Sequence, residues 1–176
     1  IIQAGGGILA DGTGYPGSQG PGAGKYVSTQ SGYVGSGGGY GGYGASSGGT
    51  PASAGGTTYG SVTAPFDRGS GGGGYGTVGG GMGGGAVTLN VTGTLTVDGR
   101  ISAGGVIGTN ANAGGGSGGT IRLAVGTLAG SGAISANGGA GLGLGARPEA
   151  GKGGHDVAPG LSGNQQRTPR PATISS

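Results

Sequence analysis

The sequence predicts an all-β chain: a glycine-rich parallel β-solenoid, or β-helix-like stack, with closely packed extended glycine segments of polyproline-II type. Three observations predict it. Glycine supplies 57 of the 176 residues. A 33-residue repeat runs through the centre of the chain, and within it apolar and polar residues alternate at period two. Glycine at this density argues against a helical bundle or an ordinary α/β enzyme, since each one costs about 0.5–1 kcal/mol in a helix or strand relative to alanine. Collagen is excluded by the absence of a strict Gly-X-Y period and by only 8 prolines. Charge-driven disorder fits badly, because just 7% of residues are charged and the net charge is +3. Such a chain must order through its backbone or within an assembly.

The repeat justifies the strands. Ile101–Gly105 (ISAGG) matches Ile134–Gly138 (ISANG) 33 residues later, and Gly93–Leu95 matches Gly126–Leu128 at the same interval. Ala86–Leu89 matches Thr120–Leu123 at 34, so one residue is dropped between the two matches. A glycine run precedes each copy, at Gly83–Gly85 and at Gly114–Gly119. Ile2–Gly6 aligns with Ile101–Gly105 at 99, three times the repeat. Fixed periods of this size mark stacked architectures. Val87, Leu89, Val91, Leu95, Val97 and Ile101 form the inward row of the first copy; Ile121, Leu123, Val125, Leu128 and Ile134 form that of the second. The dropped residue requires a bend or bulge at Gly93 or Gly126, or every later side chain would change faces. No segment carries a helical period.

Composition divides the chain into three. Residues 1–85 are a Gly/Tyr-rich extended region, 86–145 the β-repeat region, and 146–176 a polar Arg/Pro-rich tail. Gly69–Gly85 holds 12 glycines in 17 residues. Such a tract packs backbone against backbone at close range or stays a disordered spacer. Tyr26, Tyr33 and Tyr40, seven apart, favour packing, because a tyrosine can cover glycine backbone while its hydroxyl meets water.

Chemistry finds little to stand on. There is no cysteine, one histidine (His155) and five acids: Asp11, Asp67, Asp98, Glu149 and Asp156. His155 and Asp156 are adjacent in a polar segment, the wrong arrangement for a triad. Asp98 and Arg100 flank Gly99 as turn residues do. Gly151–Val157 is similar to the calcium nonapeptide of β-rolls, but departs at Lys152 and occurs once. No catalytic, cofactor-binding or metal-ligating residue is therefore assigned, no cofactor is expected, and the chain is read as a non-enzyme. Asn90-Val91-Thr92 is a glycosylation sequon with Asn90 on the outward parity. Thr94-Leu95-Thr96 is a Thr-x-Thr element that its partner copy, Thr127-Leu128-Ala129, does not continue. The basic residues are scattered, so no nucleic-acid partner is expected. No run approaches the ~20 apolar residues of a membrane helix. The opening Ile1-Ile2-Gln3 shows neither an initiator Met nor a signal peptide, as in a mature product or a piece of something longer.

Gly114–Leu123 (GGGSGGTIRL) followed by Gly132–Gly139 (GAISANGG) resembles glycine-rich repeat proteins of secreted or cell-surface type. Gly37–Gly44 and Gly69–Gly85 look like their glycine/tyrosine portion. The resemblance implies a β-helical extracellular element and carries over no catalytic residue. The expected function is a structural subunit of an extracellular filament or surface layer, assembling with itself by repeat stacking and strand complementation. Its expected assembly residues are Ile2 and, in the tail, Ala172, Thr173 and Ile174. The alternative is an ice- or carbohydrate-binding module of a secreted adhesin, with an extracellular polysaccharide as partner.

Overall fold

A computed structural model describes residues 1–142 apart from 31, 49 and 77. These residues form seven strands and no helix. The alternating segments of the repeat make the two long strands, β4 (Ala86–Thr96) and β6 (Thr120–Ala129), paired in parallel. Val87 stands beside Ile121, Leu89 beside Leu123, Val91 beside Val125 and Leu95 beside Leu128. Between the last two pairs, Thr92 and Gly93 oppose the single residue Gly126. That bulge absorbs the dropped residue and returns Leu95 and Leu128 to the apolar face.

A second parallel sheet is built from β1 (Gly7–Leu9), β5 (Arg100–Ser102) and β7 (Ala133–Ser135), in the order β1-β5-β7. Ile8, Ile101 and Ile134 lie side by side across it. Ile101, flanked on both sides, is fully buried, whereas Ile134 at the edge is 36% exposed. Val87, Leu95, Val97 and Ile101 form the apolar core, and Ile2, Ile8 and the inward residues of β4 and β6 pack on it. The entry to β7 needs Gly130. Its φ is +109°, and a Cβ there would overlap the Val97 backbone. The third sheet is an antiparallel hairpin, β2 (Tyr26–Thr29) with β3 (Gly32–Gly35).

The predicted solenoid is not what the chain forms. Its strands belong to three separate small sheets, two parallel and one antiparallel. The reason lies in the glycine runs between strands, which leave the sheets instead of turning directly into another coil. Nor does the N-terminal copy keep the interval of 99. Ile8, not Ile2, stands beside Ile101, and Ile2 bridges Val97. A turn causes the difference: Gly5 has φ +82° and the Gly6 N–H donates to the Gln3 carbonyl, so β1 starts only at Gly7.

The glycine runs form a second core made of main chain. Residues 35–39, 69–74, 79–81 and 113–119 are all buried. Segment 69–73 is enclosed on several sides. Its N–H groups donate in turn to Gly84 O, Ser117 Oγ, Gln19 O, Gly81 O and Ser36 O. Its carbonyls accept from the N–H groups of Tyr15, Ser117, Gly24, Ser18 and Gly114. No buried backbone group of this segment is left unpaired, which is the condition for burying main chain at all. Between several facing segments the bonds recur every third residue. Gly69 and Gly72 donate to Gly84 and Gly81; Gly81 and Gly84 donate to Gly114 and Ser117.

Side chains are excluded at these positions by direct contact. A Cβ at Gly73 would overlap the Lys25 carbonyl, one at Gly80 the Gly72 carbonyl, and one at Gly114 the Ser36 carbonyl. Gly73→Val is therefore expected to destabilise the fold by about 3 kcal/mol or more through overpacking. Gly93→Ala, with nothing within 4 Å of its Cβ position, should stay within about 0.5 kcal/mol. On the sheet, Leu123→Asp should cost about 2 kcal/mol, and exposed Arg122→Ser almost nothing. Chemical denaturation of the four variants checks all of these, and equal effects at Gly73 and Gly93 would contradict the packing.

Candidate functional site

Three places gather side chains with polar or assembly potential. The first is Asp11, just past β1. Parallel pairing continues beyond the strand, with Ala10 N–H donating to Ser102 O and Gly12 N–H to Gly104 O. Asp11 is thereby carried against the neighbouring segment. Its Oδ2 accepts from Ser102 Oγ at 2.7 Å and from Arg100 at 3.1 Å, and its Oδ1 accepts from the Gly104 N–H at 2.6 Å. Partial burial pushes this carboxyl up, but the Gly104 and Ser102 hydrogen bonds and the Arg100 charge outweigh it and leave the pKa below its ordinary value. Asp98 makes a comparable link to the segment that follows, where its Oδ1 accepts from the Ser131 N–H at 3.1 Å. Both carboxylates are tied up in joining neighbouring segments.

The second place is a chain of hydroxyls at the border of the glycine core. Tyr40 and Tyr59 pack ring to ring with centroids 4.9 Å apart. Thr120 Oγ1 donates to the Asp67 carbonyl, so Tyr40 donates to Thr120. Ser70, fully buried, donates to the Tyr59 hydroxyl, which itself donates to the Arg68 carbonyl. Desolvation by burial raises both tyrosines, and Tyr59 is pushed up to about 12. Arg68 caps this border with its guanidinium 5.1 Å from the centre of the Tyr15 ring. The groups are hydrogen-bonded donors and acceptors in a packed wall.

The third place is the outer side of the repeat. β7 is an edge of the three-stranded sheet and β6 one of the two edges of the β4–β6 sheet, so each has a paired strand on one flank only. Ile121, Leu123, Val125 and Leu128 are half-buried, as are Leu89 and Val91 on β4, while Val87 and Leu95 are almost fully buried. Ile2 packs on the core within the chain: its N–H donates to Thr96 O, and its carbonyl accepts from Asp98 N–H. The edge strand next to it is β1. Ala172, Thr173 and Ile174 lie outside the described residues, as do Glu149, His155, Asp156 and the calcium-like segment 151–157.

Asn90 is exposed on β4, on the outward face. On that same face only Thr94 and Thr127 stand as a threonine pair; Thr88 faces Arg122, Asn90 faces Ala124, and Thr96 faces Ala129. Among the described residues no group of three or more His, Cys, Asp or Glu could hold a metal ion, and no helix is long and apolar enough to cross a membrane. The tyrosine wall and the Asp11 clamp were not anticipated from sequence, because their members come from segments up to 93 residues apart. No family model, curated protein or solved structure matches the chain. Function has to be read from its own geometry.

The two polar places respond to opposite ends of the pH scale. A lowered folded-state pKa at Asp11 means its contribution is present above the ordinary value of 3.8 and is lost as pH falls through the folded value. Asp11→Asn should flatten the acid limb of stability against pH. Tyr59 has the reverse sign. Its contribution is full below its ordinary value of 10 and disappears as pH rises through about 12. Tyr59→Phe should reduce the alkaline loss, at the cost of two hydrogen bonds at neutral pH. Thermal unfolding across the pH range measures both, and unchanged limbs in the variants would contradict these assignments.

Proposed function

We propose that the chain is a structural subunit of an extracellular filament or surface layer, self-assembling by strand addition along its open β-edge. The observation that carries this is the contrast within the isoleucine ladder. Ile101 has a neighbour on both sides and is completely buried, while Ile134 has one and remains exposed. β6 and β7 together offer an apolar flank and a row of edge backbone groups, a template for another strand. The strand added is Ala172–Ile174 of a neighbouring copy. Paired as a strand, Ala172 and Ile174 would share one face at period two and cover the ladder, and Arg167, Pro169, Arg170 and Pro171 would favour an extended connector. Each copy then both gives and receives a strand, and a heterologous contact that does not close produces a fibre.

An extracellular setting is supported by the resemblance to secreted glycine-rich repeat proteins. Among the described residues Asp11 and Asp98 are engaged in links between neighbouring segments, which supports a structural reading. The single threonine pair on the β4–β6 face offers no array for ice or sugar.

Electron microscopy and sedimentation of the purified chain test the reading. The intact protein should form elongated assemblies, and the variant lacking 168–176 should remain a folded monomer. Ile134→Lys should also abolish assembly, at a cost to monomer stability of about 1 kcal/mol because the site is an open edge. Filaments that form normally without 168–176 would remove the tail as the joint. An intact chain that stays monomeric at high concentration would overturn the proposal.

A further inference from the structure

Three tyrosines outside the hydroxyl wall converge from two different stretches of the chain. Tyr26 opens β2, Tyr33 lies on β3 of the same hairpin, and Tyr75 sits in the turn where Gly74 bridges Gly76 and Tyr75 bridges Val78. Their ring centroids are 5.7 Å apart for Tyr26 and Tyr75, 6.2 Å for Tyr33 and Tyr75, and 6.3 Å for Tyr26 and Tyr33. Tyr75 is 64% exposed and Tyr26 40%, whereas the Tyr33 hydroxyl is buried without a hydrogen-bond partner. Edge-to-face packing of Tyr26 on Tyr33 and Tyr75, with Tyr33 and Tyr75 tilted, accounts for the contacts among the rings. It does not account for two phenols left open to solvent at the closest separation in the trio.

Composition sharpens what this pair can do. The chain has no cysteine and no tryptophan, and one methionine against seven tyrosines. An oxidising equivalent arriving from solvent therefore meets phenols almost exclusively. Two phenols already held side by side react as one molecule, with the effective concentration of an intramolecular step.

We propose that Tyr26 and Tyr75 form an oxidative cross-linking site, joined as dityrosine by a one-electron oxidant of the peroxidase and hydrogen peroxide class. Each phenol gives up one electron and one proton to become a phenoxyl radical. The two radicals combine through ring carbons ortho to the oxygens, forming one C–C bond. The hydrogen on each joined carbon then moves to its oxygen, restoring both aromatic rings. The protein loses two hydrogens in total, and one hydrogen peroxide is reduced to two waters. The link would staple the β2–β3 hairpin to the turn after the 69–74 segment, closing a covalent loop across the glycine core. It requires only that this region fold as described, so it stands or falls separately from assembly.

The experiment treats the full chain, at a dilution where it is monomeric, with a haem peroxidase and hydrogen peroxide. Dityrosine fluorescence should appear in a species of monomer size whose mass is lower by two hydrogens. Trypsin, cutting after Lys25, Arg68 and Arg100, should release peptide 26–68 joined to peptide 69–100, with fragmentation placing the link at Tyr26 and Tyr75. Tyr26→Phe and Tyr75→Phe should each abolish this species while unfolding at nearly the intact protein's temperature. Tyr43→Phe, which removes a 72% exposed tyrosine outside the trio, should leave it unchanged. The same treatment in denaturant should lose the selectivity for this pair. A link to Tyr33 in place of either partner, dityrosine only in species larger than monomer, or oxidation confined to Met82 sulfoxide would each overturn the proposal.

Discussion

Close approach of backbone to backbone is the constraint on which the rest of the structure depends. Segment 69–73 exchanges hydrogen bonds with segments from residues 15–24, 36, 81–84 and 114–117. Across these contacts a Cβ on a facing glycine would overlap a carbonyl group, as at Gly24, Gly83 and Gly114. An ordinary core is held by removing apolar side chains from water. Here the buried material is largely peptide, so stability relies on every N–H and C=O finding a partner, and a missed bond would leave a costly buried polar group. Serine enters this interior at Ser36, Ser70 and Ser117 because its hydroxyl is small and makes its own bonds. Ser117 Oγ accepts from the Ser70 N–H and donates to the Ser70 carbonyl, substituting a side chain for a stretch of main chain.

The apolar core complements this interior at its edge. The parallel register of β4 with β6 continues into the glycine region: Ala86 faces Thr120, Gly84 donates to Ser117 and Gly81 to Gly114. One alignment of the chain thus serves both a side-chain core and a main-chain core. Where side chains are available, period two sets which face is buried; where they are absent, a period of three in the hydrogen bonds takes over. Tyr40, Tyr59 and Thr120 stand at the border, with ring area to cover glycine and hydroxyls to end the hydrogen-bond pattern. The open flank of β6 and β7 is the consequence of having only three neighbouring segments to stack. In the isoleucine ladder the middle strand is closed and the last is not.

Much of the repeat region was legible in the sequence. The pairs Val87–Ile121, Leu89–Leu123, Leu95–Leu128 and Ile101–Ile134 follow the intervals of 34 and 33, because identical patterns placed in parallel put like residues side by side. The bulge was legible for the same reason, since only an unpaired residue reconciles the two intervals. The third copy was not. A short local turn at Gln3–Gly6 displaced β1 by six residues from the alignment, and turn geometry at glycines leaves no periodic trace. The solenoid expectation failed because a repeat interval measures where like strands recur and says nothing about the path between them.

What the sequence determined by itself was parity, pairing register in the repeat, and the necessity that a chain one-third glycine bury backbone if it orders at all. These are consequences of side-chain size and spacing, which are local properties. Tertiary structure alone decided which glycine segment lies beside which, that Asp11 reaches Gly104, that Tyr40 meets Thr120, and that Tyr26 meets Tyr75. Glycines are interchangeable as letters and carry no side chain to label a partner. Their arrangement is settled only when the surrounding serines, tyrosines and strands hold the segments in place and every buried peptide group finds its hydrogen bond.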